Sequence, residues 1–139
     1  MPFEDSEVSD SEEVITVMLV EDDPLNRLLI SIILKQIYAD IHIIEAENGQ
    51  RAIEEFKETI PNLIIMDIQM PIMNGYEATS AIRKLEGGDK VPIIGLTAGS
   101  LKGDREKCIA SGMSDYASKP VVIDTIEKII DKWLNANRD

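Results

Sequence analysis

The chain has 139 residues, 44% of them hydrophobic and 29% charged, with 26 Asp and Glu against 14 Lys and Arg and a formal net charge of −12. That supplies apolar side chains for one core in one domain, while no apolar run approaches the roughly 18 residues a membrane-spanning helix needs. The charge disfavours direct contact with nucleic acid or an anionic membrane surface, the single cysteine excludes an internal disulfide framework or multi-cysteine zinc site, and the lack of a basic-then-apolar amino-terminal segment points to the cytoplasm.

Residues 1–13 come first and hold half of the net charge, in Glu4, Asp5, Glu7, Asp10, Glu12 and Glu13, with no Lys or Arg. So few apolar side chains cannot offset the entropy of ordering, which predicts a disordered acidic leader ahead of a domain over residues 14–139. From there two kinds of segment alternate. Ile15-Thr-Val-Met-Leu-Val20, Leu63-Ile-Ile-Met66 and Pro92-Ile-Ile-Gly-Leu96 are short, nearly continuous apolar runs, as expected of strands buried on both faces of a parallel sheet. Ile41-His-Ile-Ile44 is a weaker run of the same kind, and Asp115-Tyr-Ala117 a short fifth one. Between them, Leu25, Leu28, Leu29, Ile32 and Ile33 have helical spacing, as do Ala52, Ile53 and Phe56, and Ala78, Ile82 and Leu85. Leu101 to Ser111 reads as a fourth helix, and Ile123, Ile126, Ile130, Trp133 and Leu134 mark a last amphipathic one. Five strands and five helices with short connections predict an α/β fold, a doubly wound parallel sheet with helices on both faces.

Ligands of such sheets bind beyond the carboxyl ends of the strands. Those ends carry Glu21-Asp22-Asp23, Asp67, Thr97-Ala98 and Lys119-Pro120 in chain order. Asp23 before Pro24 reads as a helix cap. Glu21, Asp22 and Asp67 would share one pocket, where two carboxylates about 5 Å apart repel by roughly 3 kcal/mol at an effective dielectric of 20. A hard divalent cation relieves that repulsion, and an open oxygen cage with room for water and phosphate suits magnesium. Magnesium, a lysine and a hydroxyl around one aspartate make a phosphoryl receptor, in which Asp67 attacks phosphorus while Lys119 and Thr97 support the transferring oxygens.

The segment Asp67-Ile-Gln-Met-Pro-Ile-Met-Asn-Gly75, with Glu21-Asp22, Thr97-Ala98 and Lys119-Pro120, resembles the receiver domain of two-component response regulators over about residues 14–136. Glu21, where Asp is common, and the run Met70 to Ala78 are most similar to receivers of hybrid histidine kinases. The resemblance implies a flavodoxin-like sheet of order 2-1-3-4-5, Asp67 as phosphoacceptor, and a magnesium site of Asp22, Asp67, the backbone carbonyl of Gln69 and, through water, Glu21. It also implies Thr97 as switch hydroxyl, Tyr116 as switch aromatic, Lys119 as phosphate-binding lysine and a cis Lys119–Pro120 bond. A histidine kinase or histidine phosphotransfer protein would be the donor, and the face of the fourth helix, fifth strand and fifth helix would respond to phosphate. The chain would be a monomer or a phosphorylation-dependent dimer, with a downstream partner the residues do not name.

Other readings fit less well. An aspartate-nucleophile phosphatase has a second Asp where this chain has Gln69, and a flavin carrier has a phosphate-cradling loop where this chain has Glu-Asp-Asp. A receiver-like module acting without phosphorylation would not need the full set of Asp67, Thr97 and Lys119. The lone histidine, His42, sits in an apolar strand and reads as a packing or surface residue, so the phosphoryl donor must lie elsewhere. Cys108 reads as helix packing, and Met66, Met70 and Met73 as fillers of core and loop. Gly99, two residues beyond Thr97, leaves the phosphate open to water.

Overall fold

The computed structural model describes residues 14–99 and 103–138. The expected acidic leader and the first two residues of the predicted fourth helix lie outside the described residues. In chain order the elements are β1 (Thr16–Val20), α1 (Pro24–Ile37), β2 (His42–Ala46), α2 (Gly49–Glu58), β3 (Leu63–Asp67), α3 (Gly75–Arg83), β4 (Ile93–Thr97), α4 (Asp104–Ser111), β5 (Asp115–Ser118) and α5 (Ile123–Arg138). The strands form one sheet in the order β2-β1-β3-β4-β5, and every neighbouring pair is parallel. This is the order 2-1-3-4-5 that the resemblance implied.

Two apolar clusters flank the sheet because successive strand residues point to opposite faces. Val17, Leu19, Leu63, Ile65, Ile94 and Leu96 pack with Ile30 and Leu34 of α1 and Ile126, Ile130 and Leu134 of α5. Met18, Val20, Ile64, Met66 and Ile93 pack with Ala52 and Phe56 of α2, Ala78 and Ile82 of α3 and Cys108 of α4. β3 and β4 are buried along their whole length, which is why they read as unbroken apolar runs. β2 is an edge strand with His42 and Glu45 exposed, hence its weaker run.

The loops at the carboxyl end of the sheet are set by caps. Asp23 Oδ1 accepts the Leu25 N–H at 2.9 Å, and Pro24 starts α1 without needing a donor of its own. Asn74 and Glu77 form a reciprocal capping box at the start of α3. Gly75 is the first residue of that helix, and a β-carbon there would come within 2.4 Å of the Asp67 carbonyl oxygen. Only glycine lets α3 begin directly against the end of β3.

The apolar stripe of α1 departs from the usual rule that such a stripe faces the core. Leu25, Leu28, Leu29 and Ile32 are 46–63% exposed, whereas Ile30, Ser31 and Leu34 are buried. α1 is apolar on two faces, and packing against α5 and the sheet selects the one with Ile30 and Leu34.

Candidate functional site

Asp67 ends β3 and Glu21 follows β1, and adjacency of those strands brings the two carboxylates together. Both side chains are buried, while Asp22 is exposed at the rim. One carboxylate oxygen from each of Glu21, Asp22 and Asp67 lies within 4.8 Å of the others. Lys119, delivered by β5 and followed by a cis bond to Pro120, places Nζ 3.0 Å from Asp67 Oδ1 and 3.4 Å from Glu21 Oε1. The Gln69 N–H donates to Asp67 Oδ1 at 3.3 Å, so the chain after β3 folds over the pocket edge.

Burial is the main influence raising the pKa of both acids, and Asp67 raises that of Glu21 further, against the opposing pull of Lys119. Lys119 is itself pushed down by burial, but the two carboxylates outweigh this and its net pKa is raised. Glu21 Oε2 accepts the Asp23 N–H at 3.3 Å; Oε1 is buried and makes no hydrogen bond, its contact with Lys119 being an ion pair of imperfect geometry. A buried carboxylate oxygen lacking a hydrogen bond, among three clustered acids with Lys119 as the one cation paired to them among the described residues, fits a hard divalent ion. The donor set is all oxygen, as magnesium prefers.

Thr97 ends β4 and is buried, and its Oγ1 donates to the Gly99 carbonyl at 2.8 Å. The hydroxyl is thus tied to the following loop. Tyr116 on β5 is half-buried against the α2–α3–α4 side of the core. Between Thr97 and the β3–α3 loop runs a groove of about 280 Å³ lined by Gln69, Asn74, Tyr76, Gly99, Asp104 and Lys107. Among the described residues, and leaving aside its chain neighbours, nothing lies within 4 Å of the place a Gly99 β-carbon would take.

A family model for the response regulator receiver domain matches residues 17–131. This chain belongs to that family. The receiver is 39% identical over 133 residues to hybrid signal transduction histidine kinase I of Dictyostelium discoideum, covering 88% of this chain. It spans only 8% of that kinase's length, and a similarly small share of the other curated relatives it matches. Among solved structures it is similar to the receiver domain of the sensor histidine kinase PA1611 from Pseudomonas aeruginosa PAO1, which has a magnesium ion coordinated in its active site cleft. The identity is 35% and the TM-score 0.80, over 88% of this chain and 98% of that one. It is also similar to a structure that pairs the histidine phosphotransfer protein Ypd1 with the receiver domain of its downstream response regulator Ssk1 in Saccharomyces cerevisiae. There the identity is 34% and the TM-score 0.78, over 86% of this chain and 88% of that one.

The receiver therefore gathers Glu21, Asp22, Asp67, Gln69, Thr97 and Lys119 at one end of its sheet, with Tyr116 one strand away. His42 is exposed on the edge strand and Cys108 is fully buried on the inner face of α4, both apart from the pocket. Sequence reasoning missed Arg27, whose guanidinium donates to the Glu21 carbonyl at 2.8 Å and to Glu45 Oε1 at 3.0 Å. Its signal was only its place in the first turn of α1, four residues after the cap. Among the described residues no helix is long and apolar enough to cross a membrane.

Proposed function

We propose that Asp67 accepts a phosphoryl group from the phosphohistidine of a histidine kinase or histidine phosphotransfer protein. An Asp67 carboxylate oxygen attacks phosphorus in line, the bond from phosphorus to the imidazole nitrogen breaks with its electron pair staying on nitrogen, and an aspartyl phosphate is left. The observation that carries this reading is the buried Asp67 carboxylate 3.0 Å from Lys119 Nζ. That cation lies where negative charge develops on the transferring oxygens, in surroundings that screen it poorly.

Asp22, Asp67 and the Gln69 carbonyl would hold magnesium directly and Glu21 through water; when bound, the ion neutralises phosphoryl oxygens. Thr97 would leave the Gly99 carbonyl to hydrogen-bond a phosphoryl oxygen, and Tyr116 would move with it, changing partner affinity at the face formed by α4, β5 and α5. The open space at Gly99 admits water to the phosphate, so the domain would promote its own dephosphorylation as well as its phosphorylation.

A protein donor must cover the rim to reach a carboxylate this deep. The rim is apolar: Leu25, Leu28 and Leu29 on α1, Ile72 on the β3–α3 loop and Val122 before α5 are all half or more exposed. Such a surface fits a donor with an apolar face around its histidine.

Acetyl phosphate with magnesium should add one phosphoryl group to the receiver, read by intact-mass spectrometry and lost to hydroxylamine. Asp67→Asn should abolish the adduct, Lys119→Ala should slow its formation, and Thr97→Ala should spare acceptance more than output. The same stable adduct on Asp67→Asn would place the acceptor elsewhere.

A further inference from the structure

Arg27 touches no carboxylate of the pocket, yet it holds the main chain that carries two of them. It occupies the first turn of α1, where its own N–H donates to the Asp23 carbonyl at 2.9 Å. Its side chain, 19% exposed, turns back so that Nη1 meets the Glu21 carbonyl at 2.8 Å while Nε pairs with Glu45 on β2 at 3.0 Å. Glu21 is thereby fixed at both ends of its main chain, because its N–H donates to the Ala46 carbonyl of β2 at 3.1 Å. The Asp23 N–H is in turn held by the Glu21 side chain. Asp22 sits between these anchors.

We infer that Arg27 is a positioning residue for the magnesium-binding acids: by donating to the Glu21 carbonyl it fixes the plane of the Glu21–Asp22 peptide and so keeps the Asp22 carboxylate beside those of Glu21 and Asp67. This rests on the metal site proposed above. Without the donor, a carbonyl on a buried residue turns toward water to satisfy itself, and the peptide rotates with it. Pairing with Glu45 matters to the same end. It holds the guanidinium by Nε, so that Nη1 stays aimed at the Glu21 carbonyl. A guanidinium suits both contacts because its N–H groups diverge in one rigid plane, which a lysine ammonium on a flexible stem does not reproduce.

Positioning and simple electrostatics predict opposite signs. Removing a nearby positive charge should by itself tighten magnesium binding, whereas losing the anchor should weaken it. The test is the magnesium dissociation constant of the full chain, measured by titration calorimetry with magnesium chloride, alongside the melting temperature of the metal-free protein. Arg27→Met, which keeps the apolar stem, should raise the constant about tenfold, the lower end of what partners of metal ligands contribute. Arg27→Gln, neutral and two atoms shorter, should weaken binding in the same direction and serves if the Met variant folds poorly. Glu45→Gln, which keeps an acceptor for Nε, should stay within about twofold of wild type. A wild-type or tighter constant in the Met or Gln variant overturns the role of Arg27 while leaving the metal site standing. A wild-type chain that binds no magnesium overturns both.

Discussion

At the scale of single residues, the site stores unfavourable energy in two places. The first is the acid pair. Burial raises the pKa of Glu21 and of Asp67, and the charge of Asp67 raises that of Glu21 further, so the folded metal-free protein binds protons at a pH where the unfolded chain has released them. Stability must then fall as pH rises through the folded values, and is fully recovered only below the unfolded values of 4.5 and 3.8. Asp67→Asn should accordingly be more stable than wild type at neutral pH without magnesium, with the gap closing on acidification; urea titrations at pH 7 and pH 4 measure it. A gap that widens toward pH 4 would contradict the sign. The second place is Ile72, a β-branched residue with φ of 72° and 97% exposure in the loop after Asp67. Left-handed backbone costs an L-residue roughly 1–2 kcal/mol, and asparagine tolerates it better. Ile72→Asn loses no packing and should stabilise the fold by about 1 kcal/mol in denaturant titration, while slowing transfer from a protein donor if this side chain belongs to the docking rim.

At the scale of elements, α1 serves two purposes with two faces. Its buried stripe holds the helix to the sheet: Leu34→Ala should cost about 2–5 kcal/mol, as for other large-to-small changes in a core. Its other stripe, Leu25, Leu28, Leu29 and Ile32, is about half exposed or more. Leu28→Ser with Leu29→Ser should leave stability within about 0.5 kcal/mol for each change. The same pair should slow phosphoryl transfer from a phosphohistidine protein about tenfold, corresponding to about 1.4 kcal/mol of lost docking, with transfer from acetyl phosphate unchanged. Equal rates from both donors would show that the stripe takes no part in docking. The end of α3 has a structural task instead. Arg83 at the end of α3 donates to the carbonyls of Gly88, Val91 and Gly112, stapling the loop before β4 to the turn before β5. Its partly buried guanidinium has a lowered pKa because of that burial.

At the scale of the whole molecule, the receiver is a sheet with an apolar cluster on each face and three acids gathered at one end. Magnesium that binds only the folded state should therefore stabilise the entire domain. At about a hundred times its dissociation constant the gain is roughly 2.7 kcal/mol. Thermal unfolding with and without magnesium checks this, and Asp22→Ala should remove most of the gain. An equal rise in both proteins would place the effect outside the pocket. The same coupling makes the domain suited to switching, since a phosphoryl group on Asp67 changes the charge at the centre on which β1, β3, β4 and β5 all converge.

The order of elements was legible in the chain because strand burial and helix spacing are local signals. Leu63 to Met66 and Pro92 to Leu96 could be little else than buried strands, and the positions of Asp67, Thr97 and Lys119 at strand ends followed from that. The resemblance to receivers added the strand order and the roles, since no periodicity says which strand lies beside which. What the sequence could not determine is whatever depends on a choice between packings. The apolar spacing of α1 is compatible with burying either face, and only the fit against α5 and the sheet decided that Leu25, Leu28, Leu29 and Ile32 stay outside. The close approach of Gly75 to the Asp67 carbonyl exists only once α3 is laid against β3. Arg27 is one charged residue among many until the fold places the Glu21 carbonyl on one side of it and Glu45 on the other. Chemistry that needs certain residue types at strand ends is written in the sequence; the orientation of those residues is a property of contacts between segments far apart in the chain, and those exist only in the folded molecule.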